Sequence, residues 1–275
     1  MKNIKNRKII VLFSTGILVF LFCVWQNNDI VVSDYQYRTS LIGDHLNGYK
    51  IAQISDLHNK KFGRQQNRII RILSNETPDI IVITGDIVDS DRTNIETALE
   101  FVEQAIKIAP VYFVTGNHEH WLSEYDRDNL LEGMKQRGVT LLDNQTMNMD
   151  KYGDEFYLAG LSAVHLSDNV LKTMCSDMDS TKLQIVLAHE PQFLYNYSDA
   201  DVHLVLSGHA HGGQIRLPVI GGLVAPGQGY FPKYTSGTYK KNSTTMIVSR
   251  GLGNSIIPIR VFNRPEVVII TLQKS

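Results

Sequence analysis

The sequence predicts an α/β protein in which two β-sheets pack face to face, with helices on their outer faces, behind an apolar N-terminal segment. Three observations predict it. The first half alternates short β-branched runs with amphipathic stretches, as expected for strands covered on both faces. The second half supplies more strand-like runs with few long helices between them. Five blocks rich in Asp, Asn and His each follow an apolar run, where strands should end and where ligands of α/β sheets collect. At 275 residues and 43% hydrophobic, the chain fits one large domain or two small ones and can bury a sizeable core.

The first element is the 17-residue run Ile9–Trp25, which carries no charge. At about 1.5 Å per residue it spans roughly 25 Å, the short end for a membrane helix. Lys2, Lys5, Arg7 and Lys8 precede it, which predicts a cytoplasmic N-terminus, a single pass and a body outside the cytoplasm, with Trp25 at the outer interface. A cleaved signal peptide is the competing reading. Against it, no small-x-small site follows Trp25, and Phe20-Leu21-Phe22 before Cys23 makes a poor lipoprotein site. The expected division is an anchor over 1–25, a tether with a first strand over 26–48, and the folded body over 49–275.

Within the body, Ile51–Ser55 is a short apolar run ending at Asp56. Arg64–Asn75 reads as a helix stopped by Pro78. Asp79–Thr84 is continuous and β-branched, a buried strand. Asn94–Ile108 puts Ile95, Leu99, Val102 and Ile106 on one helical face, with Pro110 beyond its end. Val111–Thr115 is another buried strand, and Ser123–Arg137 a helix closed by Gly138. Phe156–Leu161, Leu183–Ala188, His203–Ser207, Thr245–Ser249 and Val267–Leu272 are the later strands. Pro218–Gly237, rich in Gly and Pro, reads as a long loop.

The formal net charge of −1 hides an asymmetry. Taking the four N-terminal bases from 27 Lys+Arg leaves 23 against 28 Asp+Glu, a net of −5. An acidic body argues against nucleic acid as a partner. The two cysteines, Cys23 and Cys175, fall in the anchor and the body, so no disulfide framework exists, and Cys175 reads as a part-buried thiol.

The five blocks are Asp56-Leu57-His58, Gly85-Asp86, Gly116-Asn117-His118-Glu119, His189, and Gly208-His209-Ala210-His211-Gly212. Their oxygen and imidazole donors suit divalent transition metals. Two ions roughly 3.5–4 Å apart can clamp the attacking and leaving oxygens of a phosphoryl displacement. One ligand must bridge them, and Asp86 is the natural candidate. Asp56, His58 and His211 can take one ion, and Asn117, His189 and His209 the other. Two M²⁺ against Asp56, Asp86 and a bridging hydroxide leave about +1, which attracts an anionic phosphoester. His118 is left free to donate a hydrogen bond or proton to the leaving oxygen, and Asp89 can orient it. Glycines at 85, 116, 208 and 212 let the backbone turn sharply.

The ordered blocks Asp56-x-His58, Gly85-Asp86-x-x-Asp89, Gly116-Asn117-His118-Glu119, His189 and Gly208-His209-x-His211 resemble the calcineurin-like metallophosphoesterase family. His209-Ala210-His211-Gly212-Gly213-Gln214, Ser249-Arg250-Gly251-Leu252-Gly253 and Arg264-Pro265-Glu266 resemble its membrane-associated bacterial YaeI/YkuE-like branch. The resemblance runs from about Tyr49 to the C-terminus. It implies a four-layer α/β/β/α sandwich, two divalent ions (Mn²⁺ favoured, with Fe or Zn²⁺ as alternatives) and hydrolysis of a phosphomonoester, phosphodiester or pyrophosphate. It also implies that Asp86 bridges and that His118 protonates the leaving group. Ala210 stands where that branch often has Thr. No Arg-Arg pair marks the N-terminal segment, which speaks against twin-arginine export.

Other residues receive plainer readings. His45, His165 and His203 read as structural, and His120 as a residue able to reach the rim. Glu119 reads as a support for its loop. Gly221–Gly229 is too irregular for a phosphate-cradling loop, and Tyr230, Tyr234 and Tyr239 either line a groove or pack. Three functions compete: a membrane-tethered phosphoesterase acting on a cell-envelope or lipid-linked phosphate, a non-catalytic binding module of the same fold, and a pyrophosphatase acting on a nucleotide-linked glycolipid.

Overall fold

A computed structural model describes residues 2–163, 168–255 and 258–275. Helix α1 (Lys2–Asn28) leads almost directly into strand β1 (Val31–Thr39). The α/β succession expected next follows, as β2 (Lys50–Ile54), α2 (Asn67–Glu76), β3 (Ile80–Thr84), α3 (Ile95–Ala105), β4 (Val111–Val114), α4 (Asn117–Trp121), α5 (Glu124–Gln136) and β5 (Thr140–Leu141). The second half runs β6 (Gln145–Lys151), β7 (Asp154–Leu161), α6 (Asp168–Ser176), β8 (Leu183–Ala188), α7 (Leu194–Asp199) and β9 (Leu204–Ser207). Four two-residue strands follow, β10 (Arg216–Leu217), β11 (Gly221–Gly222), β12 (Val224–Ala225) and β13 (Gly229–Tyr230). The chain closes with β14 (Gly237–Lys241), β15 (Thr244–Val248) and β16 (Glu266–Lys274).

Two six-stranded sheets result, ordered β1-β16-β2-β3-β4-β5 and β14-β15-β9-β8-β7-β6. Strands β2 to β5 are parallel, as are β7, β8, β9 and β15. Side-chain alternation then sorts the apolar residues into layers. Ile51, Ile80, Val82 and Val114 of the first sheet meet Phe156, Leu158, Ile185, Leu187 and Leu206 of the second. Ile54, Ile81, Ile83 and Phe113 face outward onto Ile69 and Leu73 of α2, Phe101 and Val102 of α3, and Leu130 and Met134 of α5. Leu161, Val186, Val205 and Val248 cover the other outer face with Leu171 of α6 and Leu194 and Tyr197 of α7. The molecule is the expected α/β/β/α sandwich.

Helix ends follow their capping residues. The Asn94 side chain accepts the Thr97 amide at 3.2 Å and starts α3, and Ser123 accepts the Asp126 amide at 3.1 Å and starts α5. Each such cap contributes about 1 kcal/mol. The expected helix over Arg64–Asn75 opens with a 3₁₀ turn at Arg64–Gln66, where Gln65 and Gln66 have positive φ, before α2 begins. Burial pushes the thiol of half-buried Cys175 up to about 11, in keeping with a packing role.

Three features go beyond what the sequence pattern displays. Within 26–48, α1 runs to Asn28 and β1 begins at Val31, nine residues paired in parallel with β16, so only two residues separate helix from strand. The last strand, Val267–Leu272 within β16, reads in the sequence as a strand without a sheet assignment, and it lies in the first sheet, between β1 and β2. The long loop over Pro218–Gly237 carries three of the short strands, and β10 with β11 and β12 with β13 form two small hairpins.

Candidate metal centre

Every candidate ligand stands at the carboxyl end of a parallel strand. Asp56 and His58 follow β2, Asp86 follows β3, Asn117 opens α4 after β4, His189 follows β8, and His209 and His211 follow β9. The two sheets present these ends together, and Gln53 ties them: its Nε2 donates to Thr84 Oγ1 at 3.0 Å in one sheet and to the Ser207 carbonyl at 2.9 Å in the other. The loops are tightly wound. Asp56, His58, Asp86, His209 and His211 all have positive φ, between 45° and 64°. Non-glycine residues seldom adopt that conformation, and clusters of it mark functional sites.

The glycines act mainly through space. Gly85 needs both its positive φ of 84° and its missing side chain, since a Cβ there would lie 2.5 Å from His189 Nδ1. Gly208 has no positive φ. A Cβ on it would lie 1.9 Å from Ser55 Oγ and 2.5 Å from Asp56 Oδ2. The expected sharp turns account for Gly85 and Gly212, and close approach accounts for Gly116 and Gly208.

The ligand atoms fall into two groups, Asp56, His58, Asp86 and His211 in one, and Asp86, His189 and His209 in the other. Asp86 belongs to both. Its Oδ1 accepts the His118 amide at 2.9 Å. Its Oδ2 faces His58 Nε2 at 3.6 Å and His189 Nε2 at 3.1 Å. Asn117 Oδ1 lies 3.2 Å, and His209 Nδ1 3.0 Å, from His189 Nε2. Two atoms about 2.1 Å from one ion at right angles are about 3 Å apart, so these separations suit a shared cation. His211 Nε2 lies 3.6 Å from Asp56 Oδ1, and both Asp56 oxygens accept the His209 amide at 3.0 and 3.2 Å.

Buried polar atoms are nearly always paired. Here both ring nitrogens of His58 and Nδ1 of His211 are buried with no hydrogen-bond partner among the described residues. A bound cation would account for His58 Nε2. Burial holds the imidazoles of His58 and His209 neutral, down to about 4 and about 3, and also keeps His211 well below its ordinary range, which leaves lone pairs for metal. Burial also opposes charge on His189, but Asp86 and Asp56 outweigh it and take the imidazolium up to about 10. A proton is drawn to the place that suits a cation. Burial raises the Asp56 carboxyl to about 6, while Asp86, despite burial, is kept well below the usual range by His189 and other histidines. Two buried carboxylates among imidazoles make a donor set that fits divalent ions.

The supports are specific. Glu119 Oε2 accepts the amides of Asp86 at 2.8 Å and Gly116 at 2.7 Å, and Oε1 accepts that of Val88 at 3.2 Å, so one side chain joins two ligand loops. Burial, then Asp86, raise its carboxyl to about 7. His189 Nδ1 donates to the Thr84 carbonyl at 2.7 Å, leaving Nε2 toward the ligands. His118 sits beside His58, ring centroids 4.5 Å apart. The group on its Nδ1 is Ser90, through its amide at 3.1 Å and hydroxyl at 3.0 Å. Asp89, expected to orient His118, instead accepts Arg92 Nη2 at 2.6 Å and the amides of Asp91 and Arg92. A carboxylate three residues past Asp86 closes its own turn, and the next residue turns inward.

Sequence reasoning missed Ser90, whose only signal was its place beside Asp89. It missed Ser255, whose Oγ lies 3.3 Å from His118 Nε2. Gly251 and Gly253 stand in a run that pattern alone gives no role: a Cβ at Gly251 would lie 2.6 Å from Asp56 Cβ, and one at Gly253 2.1 Å from the Leu57 carbonyl. His120 Nε2 is engaged by Thr115 Oγ1 and Ser162 Oγ, each at 2.8 Å. His203 Nδ1 accepts the Gln184 amide at 3.1 Å and His45 is exposed, while His165 lies outside the described residues. Tyr234 and Tyr239 pack edge to face at 5.1 Å.

The profile of the calcineurin-like phosphoesterase family matches residues 49–213, which include all seven candidate ligands and His118. This chain belongs to that family. It is a metal-dependent phosphoester hydrolase by descent, and the family's site is dinuclear. The chain is 31% identical to the uncharacterized metallophosphoesterase YkuE of Bacillus subtilis, over 90% of this chain and 86% of that one. It is 26% identical to the phosphodiesterase YaeI of Escherichia coli, over 86% and 87%. It is 28% identical to a transmembrane protein with metallophosphoesterase domain of Danio rerio, over 98% of this chain but 63% of that one. Among solved structures, a dimetal phosphatase of Danio rerio shares the fold, with a TM-score of 0.50 at 13% identity over 75% and 88%. Of the described helices, α1 holds the one span of suitable length and hydropathy to cross a membrane, Ile10–Asn28 with mean hydropathy 1.9.

Proposed function

We propose that this family member hydrolyses a phosphodiester or phosphomonoester at a membrane surface, using two divalent ions held by the seven candidate ligands. Asp56, His58 and His211 hold one ion, Asn117, His189 and His209 the other, and Asp86 lies between them. The observation that carries the reading is Asp86 Oδ2, shared between His58 Nε2 at 3.6 Å and His189 Nε2 at 3.1 Å while Oδ1 is tied to the His118 amide. When bound, the ions supply positive charge that offsets phosphate and makes a nucleophilic water available near neutral pH, with Mn²⁺ the favoured ion.

The chain's own residues do the rest. A backbone N–H can only donate, so the Ser90 amide occupies the Nδ1 lone pair of His118 and assigns the ring proton to Nε2. From there His118 donates a hydrogen bond to the leaving oxygen, which takes the place of Ser255 Oγ, and so stabilises the charge that develops there. Neutral Asn117 contributes no charge, so the site keeps its attraction for an anion. With α1 in the bilayer and the basic N-terminus in the cytoplasm, the domain stands outside the cytoplasm at a single-pass anchor.

The test uses the purified full chain, stripped with chelator and reloaded with Mn²⁺, Fe²⁺ or Zn²⁺, against soluble monoesters, diesters and pyrophosphates. Diester or monoester turnover is expected, and Asp86→Asn is expected to lose both turnover and bound metal. Turnover of pyrophosphate alone would favour the glycolipid pyrophosphatase, and no turnover on any substrate with any ion would sink the proposal.

A further inference from the structure

We infer that the segment bearing Ile259 and Phe262 is a second membrane contact, which seats the metal centre with its His118 side against the lipid headgroups. The inference rests on the reading of α1 as a membrane span, and adds where the substrate phosphate must lie.

The end of α1 is fixed to the catalytic body. Asn27 Oδ1 accepts the Arg260 amide at 3.1 Å and Asn254 Nδ2 at 2.9 Å. Gln26 Oε1 accepts the Asn263 amide at 3.1 Å, and Lys60 Nζ bonds the Asn27 carbonyl. The span therefore sets the orientation of the body.

Depth can be read from neighbouring rings. Trp25 donates to Asp29 Oδ2 at 3.0 Å and lies under the Arg264 guanidinium at 5.3 Å, an aromatic and polar group suited to the headgroup level. Phe262 packs instead on Phe22, ring centroids 5.4 Å apart. Phe22 precedes Trp25 by three residues, roughly 4.5 Å further toward hydrocarbon. Yet Phe262 belongs to the catalytic body, is 55% exposed and holds a positive φ of 51°. Positive φ is uncommon for a bulky residue, and here it turns a large apolar ring away from the core and toward the span. Ile259 beside it is also exposed.

The apolar surface continues through backbone rungs. Val261 bridges Ile215, Leu223 N donates to the Ile215 carbonyl at 2.9 Å, and Phe231 N donates to the Leu223 carbonyl at 2.9 Å. The tips of this small ladder, Val219, Ile220 and Phe231, are exposed. Exposed apolar tips joined through backbone to the segment that packs on the end of the span fit a bilayer, which is the occupant proposed.

Two inward-facing neighbours of these residues, Arg260 and Asn263, brace the metal centre, while the Ile259 and Phe262 side chains face away from it. Asn263 Nδ2 donates to the His211 carbonyl at 2.7 Å, and buried Arg260 donates to the carbonyls of Arg250 and Gly253, next to Asp56. Ser255 touches His118. The leaving group thus departs on the side nearest the lipid. The matching substrate is a membrane amphiphile whose phosphate lies at headgroup height.

The test uses the full chain with Trp25→Phe, Trp121→Phe and Phe262→Trp, so that one indole reports on position 262. It is reconstituted in phosphatidylcholine/phosphatidylglycerol vesicles containing lipid brominated near the top of the acyl chain. Quenching by the brominated lipid with protection from aqueous iodide is expected. Quenching by iodide alone, or protection from both as a protein partner or second copy would give, overturns the inference. In the otherwise native chain, Ile259→Asp with Phe262→Asp should lower kcat/KM on a vesicle-embedded phospholipid by roughly tenfold or more and leave a soluble diester unchanged. Equal effects on both substrates, or none on the lipid, would also overturn it. If the native chain cleaves neither substrate, the proposed function fails while the fluorescence result still stands.

Discussion

Asp86 is fixed at one oxygen and shared at the other, so its removal should act on both ion sites together. Asp86→Asn keeps an oxygen for the His118 amide but lacks the charge two cations need. It is expected to drop metal content from two ions toward none, read by elemental analysis, with activity following. His118 should behave differently, because it is one ring away from the ligands. His118→Asn is expected to retain both ions and lower kcat by about 10² to 10³, as for loss of one donor to a developing oxyanion; loss of metal along with activity would make it a ligand instead. Gly208 offers a third test. Adding a methyl places it 1.9 Å from Ser55 Oγ, so Gly208→Ala should destabilise by about 1–3 kcal/mol. The double variant Ser55→Ala, Gly208→Ala should recover part of that loss in a thermal melt, since it removes the nearest obstructing atom.

Among elements, Glu119 does the joining. Its carboxylate accepts three amides from the loops after β3 and β4. Glu119→Gln turns one acceptor into a donor facing a backbone N–H, at a cost of about 1.5–3 kcal/mol. It should lower the metal-loaded melting temperature and weaken metal binding, because it loosens Asp86 and Asn117 relative to each other. A metal titration midpoint that does not move would confine Glu119 to stability. The sequence announced these loops because each ligand follows a continuous β-branched run such as Ile80–Thr84, and such runs have few alternatives to a buried strand. Other features were less legible. Val267–Leu272 reads as a strand in either sheet, and only tertiary pairing sends β16 back beside β2. Asp89 and Ser90 could not be ranked as partners of His118, since a turn of positive-φ residues decides which side chain points inward. Glycines 116 and 208 looked like turn residues, but their reason is a neighbour's atom, which no pattern displays.

At the scale of the molecule, the metal centre is where the two sheets meet, so metal removal should be felt globally. Without cations, buried Asp56 and Asp86 share one cluster in which each carboxylate opposes charge on the other and His189 is the main offset. A ligand at 100 times its Kd contributes about 2.7 kcal/mol, and each kcal/mol moves the melting temperature of a domain this size by about 2–4 °C. Chelation is expected to lower the midpoint by roughly 5–10 °C, reversibly on adding Mn²⁺. The other global link is the junction with α1. The residues 26–28 read as tether because Gln and Asn suit a loop as well as a helix end. Their side chains instead meet carbonyl and amide groups of a segment far away in sequence. Asn27→Ala removes the acceptor of two hydrogen bonds and leaves the Arg260 amide and Asn254 without it. In the full chain this should cost about 1–3 kcal/mol, and it should weaken metal binding through Asn263 and the His211 carbonyl. Asn28→Ala, at an exposed side chain bonded only within α1, is the control and should change neither. If the two variants melt and bind metal alike, the helix end is an attachment without influence on the site. If only Asn27→Ala shifts both, the span and the metal centre form one mechanical unit.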